Sequence, residues 1–159
     1  MELDALPFRA FAIALFIGAL VGLEREKRQA DAPARGIGGI RTFLLFAEAG
    51  AIAAWLAQAL ASPWIFAAAG VCVTTLVLAG YLAAVRARPD DIGLTTEMAA
   101  LVVFLLGGLA VAGEAALAVA LAIATSAILA FKQPMHAVVG RIDRDDLYAG
   151  LTLLVATFI

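Results

Sequence analysis

The sequence predicts an all-α fold: a polytopic bundle of transmembrane helices with five complete spans, the start of a sixth, and the N-terminus outside. Three observations predict it. Of 159 residues, 64% are hydrophobic and only 15% are charged, against about half apolar and about a quarter charged in a soluble domain. The apolar residues come in runs matched to a hydrocarbon layer about 30 Å thick at about 1.5 Å of helix per residue. Those runs lack the period-two alternation of a barrel strand, so their backbone groups must find partners within helices.

Helices are expected over about 7–23, 42–61, 64–85, 94–112 and 115–131, with a partial sixth over 147–159, all in one domain covering residues 1–159. Pro7 suits a first helical turn, where its missing N–H has no partner to lose. The second run is interrupted only by Glu48 and Gln58, and the third opens on Trp64 after the short link "ALASP". The fourth carries Glu97 in its first turn, and the fifth follows the link "VAGE". The sixth stops mid-run on "LLVATFI", too short to span. The chain is therefore expected to be truncated there or to open a longer protein.

Orientation follows from the basic residues. Arg25, Lys27, Arg28, Arg35 and Arg41 lie between the first two runs, Arg86 and Arg88 between the third and fourth, and Lys132, Arg141 and Arg144 beyond the fifth. Every Lys and Arg except Arg9 thus falls on one side, which the positive-inside rule assigns to the cytoplasm. The acidic start (Glu2, Asp4) does not resemble a secretory leader.

Several functions are not expected from this composition. Cys72 stands alone, so neither a disulfide nor a zinc cluster can form within the chain. "GIGG" lacks the Lys and Ser/Thr of a phosphate-binding loop, and no catalytic constellation appears, so an enzyme is not expected. The charged loop mixes Glu and Asp with its bases and does not suit nucleic acid. Lipid headgroups or a cytoplasmic partner fit better. His136 with Lys132 reads as an interfacial anchor, with no second His to share a metal.

Gly18 and Gly22 form a small-residue pair of the kind that lets membrane helices approach closely. Packing within one subunit is the plain reading, and a homodimer seam is the sharper one. The acidic residues carry more weight. A carboxylate in hydrocarbon costs about 2.5–3.5 kcal/mol on insertion scales and so faces protein or water. Glu48 and Glu97 lie within spans, both toward the cytoplasmic half, and Glu24 and Glu26 end the first helix at that level. Together with Thr42, Thr95 and Thr96 they would give an oxygen-rich site for a hard cation or a proton. The structural alternative pairs Glu24 or Glu97 with Arg25 or Arg41 and leaves the threonines to cap helix starts.

Three stretches, "IGALVGLEREKR", "GGIRTF" and "DIGLTTEMAALVVFLLGG", resemble the MgtC/SapB family of bacterial inner-membrane proteins. The likeness is closest to the branch in which this domain begins a longer multi-helix membrane protein. The motif positions carried over are Gly22, Glu24, Arg25, Glu26, Gly39, Arg41, Thr42, Gly93, Thr95, Thr96 and Glu97. Ile40 stands where Leu is usual, and Glu48 is outside the motifs. The resemblance implies a role in magnesium-linked cation transport or homeostasis. It points to no cofactor beyond a bound cation, Mg2+ first, for which Glu24, Thr95 and Glu97 are the candidate ligands. It also implies the alternative of a non-transporting regulatory module that binds another membrane complex, such as an F-type ATP synthase.

Overall fold

The computed structural model describes residues 6–31, 38–87 and 94–131, and helical pieces at 148–149, 152–153 and 155–157. The described residues are helical, with short turns and no strand among them. Five helices follow in order: α1 (Leu6–Asp31), α2 (Ile40–Ala59), α3 (Trp64–Ala87), α4 (Thr95–Val111) and α5 (Ala115–Ala130). Arg35, Arg88, Gly93, Lys132, His136, Arg141 and Arg144 lie outside the described residues.

Four of the expected helices match to within about two residues at each end, the ordinary uncertainty of a helix boundary. The first does not. It was expected to stop at Leu23, where the apolar run ends, but α1 continues through Asp31. The added segment, Glu-Arg-Glu-Lys-Arg-Gln-Ala-Asp, is made mostly of strong helix formers, and Pro33 two residues beyond it explains the stop. Hydropathy marks where a helix leaves an apolar layer, not where its hydrogen bonding ends.

The two short links close by related geometry. After α2, the Ser62 N–H donates to the Ala57 carbonyl at 2.8 Å, with Ala61 at a left-handed φ of 47°. After α4, the Glu114 N–H donates to the Leu109 carbonyl at 3.2 Å, with Gly113 at φ 101°. Both are Schellman closures, which satisfy carbonyls orphaned at a helix end.

By contacts the chain divides into two compact units, residues 1–127 and 128–159. In the second, the hydroxyls of Thr152 and Thr157 donate to the carbonyls four residues back, Tyr148 and Leu153, each at 2.7 Å. In the first, α1, α2 and α4 pack against one another and α3 against α2 and α4. Gly18 lies against Phe43, Leu44 and Ala47, and Gly22 against Ile40 and Phe43, so α1 runs antiparallel to α2. A Cβ on Gly18 would come 2.7 Å from the Phe43 carbonyl oxygen. The Gly18/Gly22 pair therefore packs against α2 of the same chain.

The closest approach is between α2 and α4. Gly50 sits on the Phe104 carbonyl and Gly107 on the Ala47 carbonyl, so the two backbones touch. Phe104 stacks on Phe66 of α3 with ring centroids 5.3 Å apart. Ala118 and Ala122 of α5 join Ile17 of α1 and Leu106 and Ala110 of α4 in one buried cluster. Small residues bring the helices together, while α3 turns most of its large apolar residues outward: Val71 is 66% and Leu76 70% exposed, and only Val73 and Val77 are buried there. Such a surface suits hydrocarbon and not water. On length and composition α2 and α3 can each cross a membrane, while α4 and α5 are shorter apolar helices of 17 and 16 residues.

Candidate functional site

The charged end of α1 meets the starts of α2 and α4. Beyond Leu23 the α1 helix presents Glu24, Arg25 and Glu26 at three successive angles, and each finds a different environment. Arg25 turns inward and is buried, its residue 8% exposed. A guanidinium survives burial only when it is paired and hydrogen-bonded. Its Nε donates to Glu24 Oε2 at 2.8 Å, and one terminal nitrogen donates to Thr96 Oγ1 on α4 at 3.3 Å. Adjacent residues of a helix do not normally face each other; here Glu24 reaches the inner end of the fork and leaves the outer end for α4.

Glu26 is exposed and serves α2 instead. Its Oε2 accepts the Ile40 N–H at 2.9 Å, one of the four donors a helix start leaves unpaired. Gly39, the residue before α2, makes no side-chain cap of its own, so the cap comes from α1 across the link. A carboxylate at that position also meets the positive end of the α2 dipole. Gly39 leaves room for it, since a Cβ there would lie 2.8 Å from Glu26 Oε2. Gly38 adopts φ +66° with Thr42 packed against it, a conformation side chains disfavour. Replacing Glu26 with Ala is expected to cost about 1 kcal/mol, the scale of a lost N-cap. Glu26→Gln, which keeps an acceptor, should cost less, and thermal unfolding of the two variants checks the order.

Glu97 is the other buried charged residue of the described chain, 8% exposed, on the third residue of α4. Its Oε2 is sealed from solvent and no hydrogen-bond donor among the described residues reaches it. The position has a local logic, since a carboxylate in a first turn gains from the partial positive charge of the free N–H groups there. That gain does not replace a hydrogen bond to the oxygen itself.

The residues expected to converge therefore separate into groups. Glu24, Arg25 and Thr96 form one connected cluster, with Glu97 next in the chain after Thr96. Glu26 is committed to the α2 start. Arg41 and Thr95 are exposed, Thr42 packs on Gly38, and Glu48 is half-buried farther along α2. Neither α2 nor α4 has a side-chain cap from its flanking residue, Gly39 and Leu94, and Thr96 accepts from Arg25. Among the described residues no three of His, Cys, Asp and Glu stand close enough to share a metal ion. Thr95 is exposed while Glu97 is buried, so these two neighbours present different faces.

Sequence reasoning missed the glycine contacts of Gly50 and Gly107. The pair Gly107-Gly108 in the middle of an apolar helix was the available signal, since small residues mark close helix contacts in membranes.

Comparison with known proteins adds one finding. The family model described as the MgtC family matches residues 11–138, a stretch that contains all five helices except the first turn of α1. No curated relative and no solved structure matches the chain.

Proposed function

The chain belongs to the MgtC family, and from that premise we propose that it is a multi-pass protein of the bacterial inner membrane concerned with magnesium-linked cation homeostasis. In this reading α1 to α5 all cross the bilayer, the N-terminus is outside, and the charged end of α1 is at the cytoplasmic face. The working part is the mouth where α1 meets α4: Glu24, Arg25, Thr96 and Glu97. One observation carries it. Glu97 is buried with one carboxylate oxygen that no described residue partners, a costly arrangement in a packed interior that its place in the first turn of α4 only partly offsets. Ionisable residues within membrane helices characteristically belong to ion or proton paths.

The test is reconstitution of the full chain in liposomes, with cation binding and flux compared between wild type and Glu97→Gln. The expected result is cation handling reduced at least tenfold in the variant. Equal handling by both proteins, or none by either under any gradient, defeats the proposal.

A second reading has its own support. Arg25, Glu24 and Glu26 are all engaged in holding helix ends together, as in a clasp that fixes a binding surface without moving ions. The chain would then be a regulatory module bound to another membrane complex. Crosslinking in native membranes should in that case trap a stoichiometric partner, and Glu97→Gln should leave its capture unchanged.

A further inference from the structure

We propose that the end of α3 is a gate on the Glu97 carboxylate: in a closed arrangement the Tyr81 hydroxyl donates to Oε2, and a bound cation displaces it. This rests on the reading that Glu97 takes a cation, and it names what regulates that site.

Helix register brings the two residues together. Gly108 of α4 lies against the ring of Phe66, and Gly70 of α3 against the ring of Phe104, so α3 and α4 run antiparallel. Phe104 and Gly108 follow Glu97 by about two and about three helical turns, which puts Glu97 on the α4 stripe that meets α3. The matching stripe of α3 runs through Phe66, Gly70, Val73, Val77 and Tyr81, with Val73 and Val77 buried. Pairing of 66 with 108 and of 70 with 104 sets Val77 level with Glu97 and Tyr81 one turn farther on, about 6 Å along the axis. Side chains lean toward the N-terminus of their own helix. In an antiparallel pair, Glu97 and Tyr81 therefore lean toward each other.

Tyr81 is half-buried and is the residue of that stripe with an O–H to donate. Thr74 and Thr75 are exposed and spend their hydroxyls on the Gly70 and Val71 carbonyls, each at 2.8 Å. Arg86 is exposed and falls on the opposite side of α3. Glu97 Oε2 is the acceptor that lacks a donor among the described residues, and a buried acceptor takes a hydrogen bond where one is within reach.

The structure shows α3 open at this level. Its inner stripe is covered as far as Val77, 4% exposed, whereas Gly80 and Ala84 are exposed and no residue from 78 to 87 is buried. Hydroxyls that bond back to the carbonyl four residues earlier bend helices, and Thr74 and Thr75 do so just ahead of that point. An inward tilt beyond them carries Tyr81 to the carboxylate, and small residues at the seam, Gly80 and Ala84, let the backbones approach. Hydroxyl and cation then compete for the same oxygen.

The experiment follows thermal unfolding of the full chain in detergent for wild type, Tyr81→Phe, Glu97→Leu and the double variant. It is run in choline chloride and with MgCl2 or KCl titrated in at constant ionic strength. In choline chloride, Tyr81→Phe should lower the melting temperature of wild type and leave that of Glu97→Leu unchanged, since only the first loses a hydroxyl–carboxylate bond. The cation concentration that gives half of the stabilisation should be at least threefold lower in Tyr81→Phe than in wild type, because its competitor is gone. If Glu97→Leu does not fold, Glu97→Met takes its place, and the titrations of wild type and Tyr81→Phe stand by themselves. Equal losses in both backgrounds overturn the proposal, because Tyr81 then only packs. Cation binding that is unchanged or weaker in Tyr81→Phe also overturns it, and leaves the cation site standing. A wild type that responds to neither salt defeats the cation reading, and the contact between Tyr81 and Glu97 then stands or falls on the double-mutant cycle alone.

Discussion

Replacing Gly50 with Ala should leave little folded protein, and Gly107→Ala should do the same. A Cβ on Gly50 would collide with the Phe104 carbonyl oxygen and come 2.8 Å from its carbon; one on Gly107 would meet the Ala47 carbonyl in the same way. In both cases the obstacle is backbone, which cannot rotate aside as a side chain can. Relief requires α2 and α4 to separate, and with them the stack of Phe104 on Phe66 and the buried face of Phe43, Ala47 and Ala51. Overpacking of a tight interior typically costs about 1–3 kcal/mol, and a rigid obstacle places these sites at about 3 kcal/mol or more by that scale. Gly70→Ala is the control. Its Cβ would meet only the Phe104 ring at 3.7 Å, an ordinary contact, and alanine is the better helix former. Thermal unfolding in detergent should rank Gly70→Ala with wild type and the other two far below. Similar melting temperatures for all three would show that the α2–α4 contact is looser than described.

Arg25→Ala carries the second large effect. It removes the hydrogen bond from α1 to Thr96 and takes the guanidinium from beside a Glu24 carboxylate whose side chain is 12% exposed. Breaking a buried ion pair by deleting one partner costs about 3–5 kcal/mol. Such pairs are nevertheless often replaceable as a whole by apolar residues of similar volume. The double variant Glu24→Gln with Arg25→Met should therefore recover much of the loss. Unfolding in mixed micelles, read as a double-mutant cycle, checks this. A double variant no more stable than Arg25→Ala would mean that Arg25 acts through Thr96 and not through Glu24.

Much of the architecture was legible in the residues because hydrocarbon imposes a simple rule. A backbone with no water must bond within its own helix, so an apolar run predicts a helix whatever its neighbours are. That is why the starts and ends of α2 to α5 could be read from hydropathy and from Gly, Pro and Trp at their edges. The end of α1 could not, because Glu-Arg-Glu-Lys-Arg marks a change of solvent and not a change of backbone conformation. The candidate site was legible in a different sense. The ionisable residues near the helix ends could be named, but a residue list assigns no partners.

The sequence by itself determined an apolar chain whose described residues are helical, with its basic residues mostly in the segments between the apolar runs, since composition and run length answer to solvent alone. Tertiary structure decided how the Glu-Arg-Glu segment is divided: Glu24 to Arg25, Arg25 to Thr96, and Glu26 to the α2 start. It also decided that Glu97 is buried with an oxygen to spare. The physical reason is distance. Arg25 and Thr96 are 71 residues apart in the chain, and they meet because glycines at 18, 22, 50 and 107 let three helix backbones close to contact.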